Sequence, residues 1–179
     1  MRVDRAGGRA PLGDQRDFEE FYQAAYARLV GQLFLVTGDF QQAEDVVQEA
    51  FVRALDRWLR ISAYEQPETW VRRVAINLAL SELRRLRRQA VALLRLGAQQ
   101  TESHLPPNTA ETIELLRRVP ANQRAVLLLH DVLDLTTDQV AEQLGLSATT
   151  VRGRLSRARA ALARHLTATD TEGEWSHHG

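Results

Sequence analysis

This 179-residue sequence predicts an all-α protein: two small helical domains joined by a flexible linker, the second a helix-turn-helix bundle. Three observations carry that expectation. Apolar residues recur at intervals of three and four through both halves, as helices that bury one face require. The stretch GAQQTESHLPPNTA, residues 97–110, collects polar and turn-forming residues, Pro106 and Pro107 among them, and separates the halves. Near the C-terminus, LTTDQVAEQLG is followed by a break and a second, arginine-bearing helical stretch, the pattern that presents one helix to a DNA groove.

Residues 1–16 carry charges and turn formers without an apolar core segment and read as a flexible leader. Helical pattern begins near Asp17, with Phe18, Phe21, Tyr22, Ala25, Leu29 and Leu33 on one face, and ends at Gly38. Asp39 is placed to cap a second helix, in which Ala43, Val46, Val47, Ala50, Phe51, Ala54 and Leu55 repeat at helical spacing. The interval from Arg60 to Pro67 interrupts the pattern. Pro67 suits the first turn of a long helix to about Leu96, because its missing N–H has no partner to lose there. In that helix Val71, Val74, Ala75 and Leu78 form the expected core stripe, while Arg72, Arg73, Ile76, Asn77, Leu80, Arg84 and Arg87 lie mostly away from it. These elements make a first domain over 17–96.

A second domain is expected over 111–166. Thr112 to Val119 reads as a short helix, Pro120 punctuates it, and Asn122 to Val132 supplies another through Val126, Leu127 and Leu129. Val140, Ala141 and Leu144 mark the next helix, which ends at Gly145, where a left-handed C-cap costs little. Ser147 is placed to cap the last one, whose stripe is Val151, Leu155, Ala158 and Leu162. Residues 167–179 read as a flexible acidic tail.

Composition excludes several classes of function. No apolar run approaches the roughly 18 residues of a membrane span, so no direct membrane insertion is expected. There is no cysteine, which removes disulfides and thiol chemistry. Five histidines without an HExxH-like pair leave no metal site in prospect, and no cofactor is expected. A clustered nucleophile or phosphate-cradling glycine motif is also missing, so the chain does not read as an enzyme. The default location is cytoplasmic. Net charge is zero, yet all 23 basic residues are arginine, and five of them with no acid lie between Arg152 and Arg164.

Three surfaces are candidates for binding. On the last helix Thr149, Arg152, Gly153, Ser156 and Arg157 spread opposite the apolar stripe and combine hydroxyls and guanidinium groups that reach base edges and phosphates. Gly153 lets that helix approach closely. Tyr64 and Trp70 flank the break before Pro67, beside Asn77 and several arginines. They read either as a stacking surface for single-stranded bases or as a core anchor and its cover. Asp45, Gln48 and Glu49 stand next to large apolar residues, as on a partner-binding helix or on a merely solvated one.

The segments FEEFYQAAYARL, AEDVVQEAFVRAL and WVRRVAINLALSELRR resemble region 2 of the extracytoplasmic-function, or group 4, bacterial sigma-70 family. The segment LLRRVPANQRAVLLLHDVLDLTTDQVAEQLGLSATTVRGRLSRARAAL resembles its region 4. The resemblance implies a sigma factor that directs core RNA polymerase to promoters and supports melting and initiation. It implies −35 duplex contacts by Arg152, Gly153, Ser156 and Arg157, with Thr149, Arg154 and Arg159 beside them. It implies −10 contacts by Tyr64, Trp70, Arg73, Asn77, Arg84 and Arg85, and docking on core polymerase through Asp45, Gln48, Glu49 and Arg53. The implied partners are the β′ clamp region and β flap of core polymerase, promoter DNA and an anti-sigma factor. Ser81 stands where the family's NxxxDxxR pattern has aspartate, and Gln139 where many relatives have glutamate. The alternatives are a helix-turn-helix regulator that acts without replacing the principal sigma factor, and a helical adaptor whose arginines meet acidic proteins.

Overall fold

The computed structural model describes residues 12–95 and 117–173, with side chains over 16–90 and 117–164. All regular structure among them is helical: α1 (Leu12–Thr37), α2 (Phe40–Leu55), α3 (Trp58–Ile61), α4 (Pro67–Arg95), α5 (Ala121–Leu127), a π-helical turn (Leu128–Val132), α6 (Thr137–Leu144) and α7 (Ala148–Gly173). The expected linker at 97–110 and most of the helix expected over Thr112–Val119 lie outside the described residues.

Local chemistry sets the boundaries of the first module. Gly38 adopts φ 70°, a left-handed conformation that closes α1, and donates its N–H to the Phe34 carbonyl at 2.8 Å. Asp39 is extended and caps α2, its carboxylate accepting from the Gln42 N–H at 2.9 Å. Helix α2 then buries Ala43, Val46, Val47, Ala50, Phe51 and Ala54. Aromatic rings close the far end: Phe21 stacks on Trp58 at 5.1 Å and Tyr22 meets Phe51 edge-on at 4.8 Å. Helix α4 crosses both α1 and α2, and Glu68 in its first turn accepts hydrogen bonds from Arg28 of α1 and, at 3.1 Å, from Arg72. Burial pushes the Glu68 carboxyl up, but the two arginines outweigh it and hold it below its ordinary value.

In the second module the turns are equally well determined. Thr136 and Gln139 form a reciprocal capping box, with Gln139 N–H on Thr136 Oγ1 at 3.3 Å and Thr136 N–H on Gln139 Oε1 at 2.8 Å. Glutamine therefore serves at this position as glutamate would. Gly145, at φ 64°, ends α6 in a Schellman arrangement: Leu146 N–H reaches the Ala141 carbonyl at 2.9 Å. Ser147 Oγ accepts from the Thr150 N–H at 3.1 Å and starts α7, which buries Val151, Leu155, Ala158 and Ala161.

The two modules share one buried core. Helix α1 packs on α5 and the π-helical turn, and α4 meets α5 and α6. Arg124 of α5 is 6% exposed and lies across the end of α1. Its guanidinium donates to the carbonyls of Val36 at 2.8 Å, Thr37 at 3.2 Å and Val119 at 2.9 Å. Arg117 adds a bond to the Gly38 carbonyl at 3.1 Å. Burial, with the Arg117 charge, pulls the Arg124 pKa down to about 10, so it stays protonated at neutral pH.

Several expectations need correction. Helix α1 starts at Leu12 rather than near Asp17. Ile76 is fully buried, because α1 and α2 both cover α4 and widen its core face beyond one stripe; Val74 and Leu78 are only half-buried. Leu55 is 49% exposed although its spacing matches the apolar face, since α2 ends there and the chain turns away into α3. That helical turn occupies the edge of the interval read as a break. The helix expected over Asn122–Val132 begins at Ala121 and changes to π geometry at Leu128, with Leu133 N–H bonded to the Leu128 carbonyl at 3.0 Å. The backbone of α7 continues beyond Leu166 to Gly173, because no proline or glycine intervenes.

Candidate nucleic-acid interface

Helix α7 presents the first candidate surface. Its caps and the turn at Gly145 fix its start, and its apolar face is buried, so Thr149, Arg152, Ser156 and Arg157 are left exposed on the opposite side. Arg152 reaches Thr149 Oγ1 at 3.5 Å, and Arg157 folds back to the Gly153 carbonyl at 3.1 Å. A Cβ at Gly153 would stand 3.7 Å from that guanidinium, ordinary contact, so glycine is not demanded there by this packing. Neither Arg152 nor Arg157 has a carboxylate partner among the described residues.

The other two arginines assigned to this surface point elsewhere. Arg154 is half-buried toward the first module, where desolvation and the charge of Arg157 lower its pKa. Arg159 is held by Asp131 of the π-helical turn at 2.5 Å, and that hydrogen bond, with His130 assisting and burial opposing, keeps the Asp131 carboxyl below its usual range. Arg159 therefore ties α7 to its support.

On α4 the residues Trp70, Arg73, Asn77 and Arg84 fall at spacings of three, four and seven along one side. Arg73, Asn77 and Arg84 are exposed; Trp70 is half-buried at the edge of the core, and Tyr64 is exposed in the turn before the helix. Trp70 thus has one face in the core, as the anchor reading expected. Ser81 Oγ accepts from Arg84 at 3.0 Å, so the residue at the family's aspartate position orients an arginine without neutralising it. Arg85 turns the other way, pairs with Glu82 at 2.5 Å and lines a groove against α2.

That groove, about 760 Å3, has Val46, Leu78 and Leu86 at its apolar wall and Asp39, Asp45 and Glu49 along its α2 side. Asp45, Gln48, Glu49 and Arg53 are all exposed on α2, with Arg53 paired to Glu49 at 2.9 Å. Beside them Val52 and Leu59 are exposed by 52% and 72%. The sequence reading missed this apolar extension; the spacing of Val52 from Gln48 and Glu49, four and three residues, is the signal that was there to use. Arg117 and Arg124 were also missed, and an arginine followed directly by AVLLL inside a buried helix was the sign.

No group of residues that would hold a metal ion occurs among those described, and no described helix is long and apolar enough to cross a membrane.

A capped helix-turn-helix docked on a separate helical module is the class of architecture in hand. Models for sigma-70 region 2 and sigma-70 region 4 match residues 21–89 and 104–162. The chain belongs to the extracytoplasmic-function (group 4) branch of the sigma-70 family. It is 32% identical to the probable RNA polymerase sigma factor RfaY of Xanthomonas campestris over 88% of its length and 42% of the relative's. Identity to the ECF RNA polymerase sigma factor SigG of Mycobacterium tuberculosis is 30%, over 87% and 50%. The chain thus spans about half the length of these two relatives. RNA polymerase sigma-E factor of Streptomyces coelicolor is 28% identical over 90% of this chain and 92% of the other. Among solved structures, CnrH in complex with the cytosolic domain of CnrY matches with TM-score 0.59 at 27% identity, covering 87% and 91%. RpoE of Bartonella quintana, solved with the anti-sigma factor NepR, matches with TM-score 0.66 at 20% identity, covering 85% and 98%, a likeness of fold.

Proposed function

We propose that this protein is a sigma factor that brings core RNA polymerase to promoters and supports their opening. The observation that carries the proposal is the exposed row Thr149, Arg152, Ser156 and Arg157 on a helix whose other face is buried and whose preceding turn is fixed. Such a row enters a major groove with donors free for base edges, and we assign it the −35 element. The α4 side bearing Trp70, Arg73, Asn77 and Arg84, with Tyr64 before it, is assigned the unpaired −10 strand, where an aromatic edge, an amide and guanidinium groups suit splayed bases. Asp45, Gln48, Glu49 and Arg53 on α2 are assigned to core polymerase, with Val52 as their apolar neighbour. The chemistry of polymerisation stays with the core enzyme; this chain supplies sequence readout to it. CnrH was solved with the cytosolic domain of CnrY. As the family resemblance implies, we also assign this chain a protein inhibitor of the anti-sigma class.

Run-off transcription with purified core polymerase on randomised promoter templates tests the proposal. The expected result is start-site selection that appears only with this protein and is lost on Asp45→Arg with Gln48→Ala, while the melting temperature of that variant stays near the parent's. Duplex binding without any transcription from core would leave the helix-turn-helix regulator as the reading instead.

A further inference from the structure

We propose that the cavity between the two modules binds a small polyphosphate anion, inorganic or carried by a nucleoside, which bridges α4 to the helix-turn-helix. The cavity measures about 600 Å3 and is lined by Arg84 and Arg87 of α4, by Arg117 and Arg124, and by Arg154 of α7. No acidic residue lines it among the described residues.

The cavity differs in charge from much of the remaining surface, where several arginines are neutralised. Arg28, Arg53, Arg72, Arg85 and Arg159 are each paired with a carboxylate. In the cavity Arg84 donates to a serine hydroxyl and Arg117 to a backbone carbonyl, and Arg87 and Arg154 have no ion pair among the described residues. Partial burial already depresses Arg154, and the neighbouring Arg157 adds to it. Gathering guanidinium groups without ion pairs around one half-open cavity builds a local positive potential that a multivalent anion there offsets.

The ligand class follows from the donors. Guanidinium forks converging from α4, from the segment before α5 and from α7 match the oxygens of several linked phosphates better than one carboxylate. Asn77 and Asn122 supply neutral donors, and Leu80, Leu83 and Leu146 leave an apolar wall against which a base or ribose fits. Because the walls come from both modules, the site exists only while they are docked, and a bound anion stabilises that arrangement by linkage. The binding itself does not depend on the assigned transcription role. Its consequence does: Arg84 is also assigned to the −10 strand, so anion and DNA compete there.

The test is calorimetric titration of the full chain with sodium tripolyphosphate, ATP and sulfate at matched ionic strength, and with a short single-stranded oligonucleotide. Arg87→Ala and Arg154→Ala probe opposite walls, and Arg88→Ala, outside the cavity, is the control; circular dichroism confirms that each folds. Saturable binding of tripolyphosphate, weakened about tenfold by each wall variant and unchanged in the control, is expected. Tighter ATP than tripolyphosphate would identify a nucleoside-linked source, and the reverse an inorganic one. Binding of the oligonucleotide alone, equal response to sulfate, or equal loss in all three variants would each overturn the proposal. None of these readings uses polymerase, so a failed transcription assay leaves this result standing, and the converse holds.

Discussion

Replacing Arg124 with methionine tests whether the docking of the modules depends on one buried cation. The guanidinium satisfies three carbonyls, two of them at the C-terminal end of α1 where helix carbonyls lack intrahelical partners. Methionine keeps an unbranched apolar stem but is shorter and offers no donor, so those carbonyls stay buried and unsatisfied. Hydrogen bonds to a charged donor contribute about 1.5–3 kcal/mol each, but three on one group are not additive. Each buried acceptor left without a donor costs about 1–3 kcal/mol, so three that share one donor lose about 3–5 kcal/mol together. For a chain of this size each kcal/mol lowers the melting temperature by about 2–4 °C, so Arg124→Met is expected to melt about 10 °C lower. Lysine, which keeps the charge but loses the fork, falls between the two. Small-angle scattering should report a larger radius of gyration for the methionine variant as the modules part. A melting temperature within about 2 °C of the parent, with unchanged dimensions, would refute the reasoning.

Other predictions follow from the same geometry. Arg152→Ala combined with Arg157→Ala should weaken cognate duplex binding at least about 30-fold in a titration at moderate salt, since each base contact contributes about 1–3 kcal/mol; unchanged affinity removes α7 from the interface. Glu68→Gln should lower stability at neutral pH and flatten the acid limb of a pH–stability curve. The Glu68 carboxyl is held below its ordinary 4.5, so the stabilisation it gives is present in full above that value and is lost as pH falls through the depressed one. An equally steep acid limb in the variant would exclude it as a contributor. Gly145→Ala should cost about 1 kcal/mol in chemical denaturation, because the left-handed φ penalises a Cβ while nothing stands within 4 Å to clash with it. A much larger loss would mean that the turn cannot adapt.

Elements defined by local rules were legible in the sequence. Gly38, Asp39, Pro67, Gly145 and Ser147 act where their chemistry placed them, because caps and left-handed turns involve only a few consecutive residues. The apolar face of α7 was also visible, since α5 and α6 together meet a single stripe of it. Helix α4 was harder: two neighbours cover it, and Ile76 goes inward on a side that a single-stripe wheel treats as outer. The exposure of Leu55 depends on where α2 stops, which periodicity does not report. Pairings across the chain were out of reach altogether. Arg159 meets Asp131 and Arg124 meets Val36 through separations of 28 and 88 residues, and no local pattern encodes such a choice.

Those pairings also explain why a net charge of zero says so little about this molecule. Glu68 holds two arginines at the junction of α1 and α4, Glu49 and Glu82 each hold one on their own helices, and Asp131 holds Arg159 under α7. These carboxylates are spent on arginines that fasten helices or solvate their outer faces. Arg152 and Arg157 on α7, and Arg84, Arg87, Arg117 and Arg154 around the cavity, have no such partner among the described residues. The uncompensated field is therefore local although the total vanishes, and α7 and the seam between modules each carry a share of it. Phosphate contacts draw their strength from local charge density and from the counterions it displaces, so the neutral total does not weaken them. The arginines assigned to phosphates and bases are ones the acids leave alone, and only the three-dimensional pairing separates them from the rest.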